Sequence, residues 1–295
     1  MEALRPFESV VIYQGHKSKT EAGPYWDNVV KQTEMFHLLN EDRKEKRERL
    51  WTVIPTDGEK LVEELRKHDP HKTLLVLPAG QSTNYDVVFS VVEKAFVLNE
   101  FFLKGGRVYA TCGAAYWLTE TREFNGLCAA SPLVKQMIVK TNALALFKGV
   151  AKGPLCPFPG EKYKVGFYSD AVVVKDRASD LECTVLLSGG GSFFPMESPD
   201  QQVQVLVHYK REELERLRFG AEFENAVVFV KRGEGAALLS MFHPYYSLSD
   251  SDAERYAVAF SDAGTDWHAL HSRISSLQER IRFMREAMLD PLERA

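Results

Sequence analysis

The chain has 295 residues, 45% of them hydrophobic and 26% charged, a balance that supports a sizeable buried core in one large domain or two. Its 37 basic residues against 41 acidic ones leave a net charge of −4, which excludes the basic footprint of a nucleic-acid binder. No apolar run approaches membrane-spanning length and no apolar h-region follows Met1, so the expected setting is the cytoplasm, away from membranes.

In chain order, the first half alternates strands and helices. A strand at 9–13 ends in the polar turn Gln14-Gly15-His16, and a helix follows at about 25–39. The run at 41–49 alternates in charge and reads as a solvated helix or loop. A second strand at 51–55 is followed by a helix at 59–68 with Asp57 as its expected N-cap. A third strand at 73–78 runs into Ala79-Gly80-Gln81. A helix at about 86–103 then leads through Gly105-Gly106 into a fourth strand ending at Cys112. Continuous apolar strands separated by helices predict a parallel sheet covered on both faces. Ligands of such sheets bind beyond the carboxyl ends of the strands, where Gln14, Gly80 and Cys112 all fall.

The second half is richer in strands. After the turn-rich segment 149–160, strands are expected at 164–168, 182–187, 202–209, 226–231 and 236–242, the last two as a hairpin across Arg232-Gly233-Glu234-Gly235. Gly189-Gly190-Gly191 follows a strand; it either lets backbone approach a ligand or makes a flexible bend. At the C-terminus Trp267, Leu270, Ile274, Leu277, Ile281, Met284 and Met288 form a heptad seam, which serves either the chain's own core or a partner helix.

The chemistry is carried by Lys104-Gly105-Gly106-Arg107-Val108-Tyr109-Ala110-Thr111-Cys112-Gly113-Ala114. A glycine turn, a short apolar strand, a cysteine and the start of a helix make a nucleophile elbow, which exposes a reactive side chain on a strained strand-to-helix turn. Strand and helix nearly touch there, so the flanking residues must be small; Ala110 and Ala114 meet that need. A helix N-terminus would favour the thiolate. The competing reading is a small buried cysteine after a core strand. The four cysteines (Cys112, Cys128, Cys156, Cys183) form no C-x-x-C pair, no disulfide framework and no metal-ligand spacing, so neither a metal nor a cofactor is expected. A cysteine nucleophile needs a base and oxyanion donors. His243, at a strand end before Pro244, is the best-placed base and His16 its competitor. The expected donors are the N–H of Gly113 and one from the Ala79-Gly80-Gln81 turn, with Gln14 and Gly190 as further binding candidates.

These segments, with Gly149–Pro154, Leu187–Phe193 and Leu239–Pro244, resemble in order the class I glutamine amidotransferase-like superfamily. Within it they are most similar to the domain at the N-terminus of eukaryotic biotin–protein ligases, which also occurs free-standing. The resemblance covers about residues 8–247. It implies a flavodoxin-like, doubly wound, mostly parallel α/β sheet with helices on both faces, an added β-rich part and C-terminal helices. The expected division is a domain at 1–247 and a helical extension at 248–295, packing on that domain or on a partner. The resemblance further implies that Cys112 and His243 face each other. Active members follow the histidine and proline with a glutamate that orients the imidazole; here that position is Tyr245, with Asp250, Asp252 or Glu197 as conceivable substitutes. No Gly-Arg-Gly-Arg biotinyl-adenylate loop is present, so the chain is not expected to attach biotin by itself. Two functional expectations stand side by side. One is a cysteine-dependent hydrolase or acyl transferase for a small amide or ester. The other is a ligand-binding or regulatory module with an incomplete triad. A small-molecule ligand is the expected partner, with a homodimer or protein partner through the C-terminal helix also open.

Overall fold

In a computed structural model, residues 6–16, 26–80, 82–124, 138–141, 144–155, 169–246 and 266–295 are described. In chain order the elements are β1 (Ser9–Tyr13), α1 (Trp26–Glu45), β2 (Thr52–Thr56), α2 (Leu61–Arg66), β3 (Thr73–Leu77), α3 (Ser82–Val88), α4 (Val91–Ala95), β4 (Arg107–Thr111) and α5 (Gly113–Leu118). There follow β5 (Thr119–Phe124), β6 (Ile138–Thr141), β7 (Phe147–Gly153), β8 (Ser169–Asp176), β9 (Glu182–Ser188), β10 (Ser192–Pro195), β11 (Gln202–Tyr209) and α6 (Arg211–Arg216). The chain closes with β12 (Asn225–Arg232), β13 (Gly235–Ser240), α7 (Trp267–Arg273) and α8 (Leu277–Phe283), which runs on through a π-turn.

Nine strands form one sheet in the order β2-β1-β3-β4-β13-β12-β11-β8-β9. The first five are parallel, and the remainder extend the sheet by antiparallel pairing. The parallel part has the flavodoxin order 2-1-3-4-5, with β13 as the fifth strand. Alternate side chains of each strand enter separate cores, as a period of two requires. Val10, Ile12, Leu74, Val76, Tyr109 and Leu238 face one way, toward Met35 and Phe36 of α1 and Ile281, Met284 and Met288. Val11, Tyr13, Leu75, Leu77, Val108, Ala110 and Leu239 face the other, toward Leu61 of α2, Tyr85 of α3 and Trp117 of α5. Both faces are covered, which is why the central residues of these strands are apolar in succession.

Several expectations are corrected in detail. The helix expected at 86–103 is broken: α3 ends at Val88, and a capping box between Ser90 and Glu93 starts α4. Asp57 makes no side-chain capping bond; it precedes a 3-10 turn at Gly58–Lys60. The charged run is not wholly solvated, since Arg43 is buried, donates to Glu293 at 3.1 Å and lies over the Trp51 ring. A second sheet, β10-β7-β5-β6, goes beyond the sequence expectation, in which part of β7 lies within the turn-rich segment. The strand expected at 164–168 falls outside the described residues, and the one present begins at Ser169.

The heptad seam is not one helix. Ile274 ends α7 in an extended conformation, and a capping box, Ser276 accepting from the N–H of Glu279 while Glu279 accepts from that of Ser276, restarts the chain as α8. The side chains of Trp267, Leu270, Ile281, Met284 and Met288 lie within the same core as α1. Ser276→Ala is therefore expected to destabilise the whole chain by about 1 kcal/mol, the usual value of an N-cap. The check is the urea midpoint read by tryptophan fluorescence; an unmoved midpoint would separate this helix from the cooperative unit.

Candidate functional site

Strand β4 places Cys112 at the carboxyl edge of the sheet, hydrogen-bonded through its N–H to the Ser240 carbonyl of β13 at 2.7 Å. Its backbone sits at φ 50°, ψ −115°, a region that L-residues avoid at a cost of about 1–3 kcal/mol. Only a surrounding structure that over-determines the turn can hold it there. Part of that constraint is Gly113: a Cβ at this position would stand 1.6 Å from the carbonyl oxygen of Gly80. Strand β3 and its following turn thus press directly on the first residue of α5. Ala110 and Ala114 are fully buried on either side.

The antiparallel extension also meets the site. Register shifts in β11 between Val205 and His208 mark a bulge, and β9 bridges antiparallel to His243 through Leu186. The Cys112 thiol donates to the Ser188 carbonyl at the end of β9 at 3.7 Å. The N–H of His243 donates to Leu186, two residues earlier on the same strand, at 2.9 Å. Carbonyls two residues apart on a strand point the same way about 6.6 Å apart, so cysteine and histidine reach one stretch of β9 side by side.

The backbone N–H groups of Gly113 and Gly190 lie close enough to lower the thiol's pKa, and that of Gly190 donates to the Ser188 carbonyl at 2.7 Å. The glycine turn after β9 is anchored by phenols: Tyr116 donates to the Gly190 carbonyl and Tyr209 to that of Gly191, each at 2.9 Å. Gly189 and Gly190 have φ of 67° and 59°, which glycine alone adopts at little cost. Burial raises the thiol to about 11, outweighing the two N–H groups that lower it. The expected thiolate at the helix N-terminus is therefore overturned. Helix α5 has six residues, and removing the sulfur from water costs more than its dipole returns.

His243 is buried, and burial pulls its imidazole down to about 4. Its Nδ1 lies 3.0 Å from the Tyr245 hydroxyl, which donates to Oδ1 of Asn28 on α1 at 3.1 Å. Burial holds the Tyr245 phenol far above its ordinary range, so it stays neutral. The His243 Nε2 is buried without a hydrogen-bond partner among the described residues. Sequence reasoning missed Asn28, because one polar residue on an amphipathic helix signals nothing until its partner 217 positions away is known.

The other candidates are distributed as follows. Gly80 contributes a carbonyl against Gly113, and Gly190 follows β9 with its N–H donating to the Ser188 carbonyl at 2.7 Å. Gln14 donates its N–H to Thr56 at the end of β1. His16 belongs to a separate cluster, 2.7 Å from the Tyr13 hydroxyl and 3.2 Å from the Glu93 carboxylate. Glu197 is exposed, and Gln81, Asp250, Asp252, Cys128 and Cys156 lie outside the described residues. Among the described residues no three His, Cys, Asp or Glu side chains are grouped to hold a metal ion, and no helix is long and apolar enough to cross a membrane. A hollow of about 250 Å³, lined by His71, Arg107, Lys231 and Glu234, opens at the amino ends of β4 and β13, the opposite edge from Cys112.

The 2-1-3-4-5 parallel sheet thus carries Cys112 after its fourth strand and His243 after its fifth. The chain belongs to the family described as biotin-protein ligase, N terminal, whose model matches residues 31–292. A biotin–protein ligase of Schizosaccharomyces pombe is 26% identical over 183 residues, 60% of this chain and 26% of that protein. The chain thus spans about a quarter of the length of that curated relative. Among solved structures, a glutamine amidotransferase from Thermotoga maritima is 12% identical, covering 97% of this chain and 98% of its own, with a TM-score of 0.47. A ThuA-like protein from Bacteroides uniformis is 14% identical, covering 82% and 84%, with a TM-score of 0.43.

Proposed function

We propose that the chain is a cysteine-dependent acyl-transfer protein acting on a small amide or ester, with Cys112 as nucleophile and His243 as base and then acid. The observation that carries this reading is the strained turn itself: a backbone held at φ 50° at the start of a helix, with the N–H of Gly113 beside its thiol. A merely structural cysteine has no use for either feature.

In this reaction the sulfur adds to the acyl carbon while its proton passes to Nε2 of His243. The developing oxyanion takes the N–H of Gly113 as donor, and that of Gly190 joins it on leaving the Ser188 carbonyl. Collapse of the adduct breaks the C–N or C–O bond, and the leaving amine or alcohol takes the proton from His243. Water then cleaves the thioester. Both resting groups are neutral, because burial raises the thiol and lowers the imidazole. Proton transfer therefore accompanies attack instead of preceding it.

The test is incubation with p-nitrophenyl acetate followed by intact mass and peptide mapping. One acetyl group on Cys112, absent from Cys112→Ala, is expected. Alkylation of Cys112 by iodoacetamide should accelerate about tenfold per pH unit from pH 7 toward the thiol's value of about 11. A rate already flat at pH 7 would mean a resting thiolate and a different electrostatic design.

A second reading, a ligand-binding or regulatory module, is favoured by one observation: the imidazole is oriented by a neutral phenol where a charge would stabilise its protonated form. It predicts no acetyl adduct in wild type, together with binding of a small ligand that Cys112→Ala weakens.

A further inference from the structure

We infer that Asn28, on α1, is a positioning residue that decides which nitrogen of His243 carries the proton; the inference rests on the proposed role of His243 as base. The deciding feature is the Tyr245 hydroxyl, which has one hydrogen and two lone pairs. Its proton goes to Oδ1 of Asn28 at 3.1 Å. With that proton committed, the oxygen presents only lone pairs to Nδ1 of His243 at 3.0 Å, and only a protonated Nδ1 can use them. The proton is thereby placed on Nδ1 and Nε2 is left bare.

Nε2 is the nitrogen that has no partner among the described residues. A buried acceptor left unpaired costs stability, and here it is kept available on the side of the ring away from Tyr245. A carboxylate in the position of Tyr245 would fix the same tautomer directly, by accepting from Nδ1. A phenol cannot do so alone, because it can donate to Nδ1 as readily as accept from it. Asn28 removes that choice by taking the phenolic proton. The phenol and the amide together supply the orientation of an acid without its charge.

Asn28 is buried, and its helix places it against the carboxyl edge beside Gln32, another buried amide, whose Nε2 donates to Thr111 at 3.3 Å. This end of α1 is thus polar toward the site, while Met35, Phe36 and Leu39 further along are apolar toward the sheet.

The test is the imidazole ¹⁵N spectrum of the full chain, with the His243 signals identified by their loss in His243→Ala. Wild type should show a protonated Nδ1 and a bare Nε2. Asn28→Leu, which keeps the volume and removes the acceptor, frees the phenol to donate to Nδ1; the proton moves to Nε2 and acetylation of Cys112 slows about 10²-fold or more. Asn28→Asp retains an acceptor and should keep both the wild-type tautomer and its rate to within a few-fold. A wild-type His243 protonated on Nε2, or an Asn28→Leu protein with an unmoved tautomer, overturns the inference. Should Asn28→Leu fail to fold, the wild-type and Asn28→Asp spectra decide between the two tautomers. Failure of the acyl-transfer reading has a separate signature, namely no acetyl adduct in a protein whose Nδ1 is protonated.

Discussion

Gly113→Ala is expected to remove about 3 kcal/mol of stability and to dismantle the elbow, through overpacking against atoms that cannot turn away. The added Cβ would stand 1.6 Å from the Gly80 carbonyl oxygen and 3.1 Å from the Ser82 nitrogen, both backbone. A side chain in that place could change rotamer; a carbonyl between β3 and α3 can move only if one of those elements shifts. Relief by retreat of α5 would drag Cys112 out of φ 50°, so stability and site are lost together. Urea unfolding with an unchanged slope and a lowered midpoint, alongside loss of Cys112 acetylation, is the expected pair of results. A midpoint within about 0.5 kcal/mol of wild type would show instead that the Gly80 turn yields freely.

The same crowding explains what was legible in the sequence. Strands β1, β3, β4 and β13 can be read because both faces of the sheet are covered, so that Val10 and Val11, or Leu74 and Leu75, are apolar in succession. The elbow can be read because its steric demand falls on neighbours in sequence. The second sheet could not be read as a whole: β5 is Thr-Glu-Thr-Arg-Glu-Phe, which buries only Thr119 and Arg122, the arginine with an ion pair to Asp86. Gly190 could be read only as a binding candidate on a glycine turn, because 78 positions, 190 less 112, separate it from the cysteine. Their meeting goes with the antiparallel bridge between Leu186 and His243, which brings the end of β9 to the site. The run at 41–49 misleads in the opposite sense, since only its Arg43 has a buried carboxylate, Glu293, to pair with. Local sterics write themselves into adjacent residues, whereas polar pairing across the fold leaves no mark until both partners are placed.

Restoring a carboxylate beside His243 is the change expected to alter reactivity most. Tyr245→Glu puts a charge where the phenol now contacts Nδ1. The imidazolium gains a partner, so the His243 pKa rises from about 4. With a chargeable histidine nearby the thiol can give up its proton more easily, and its value falls from about 11. A two-unit fall would raise the thiolate population about 100-fold, while each thiolate becomes roughly tenfold less nucleophilic, for a net gain of about tenfold at neutral pH. The effect on acid stability has a definite sign. In wild type the folded His243 titrates near 4 and the unfolded one near 6.5, so the unfolded chain holds more protons between those values and stability falls as pH drops through that window. Raising the folded pKa narrows the window from below, so the variant loses less stability to His243 between pH 6.5 and 4 than wild type does. The measurement is the pH–rate profile of Cys112 alkylation in both proteins. An ascending limb displaced to lower pH in Tyr245→Glu is the expected result, and superimposable profiles would show that the identity of the residue beside Nδ1 does not govern the thiol.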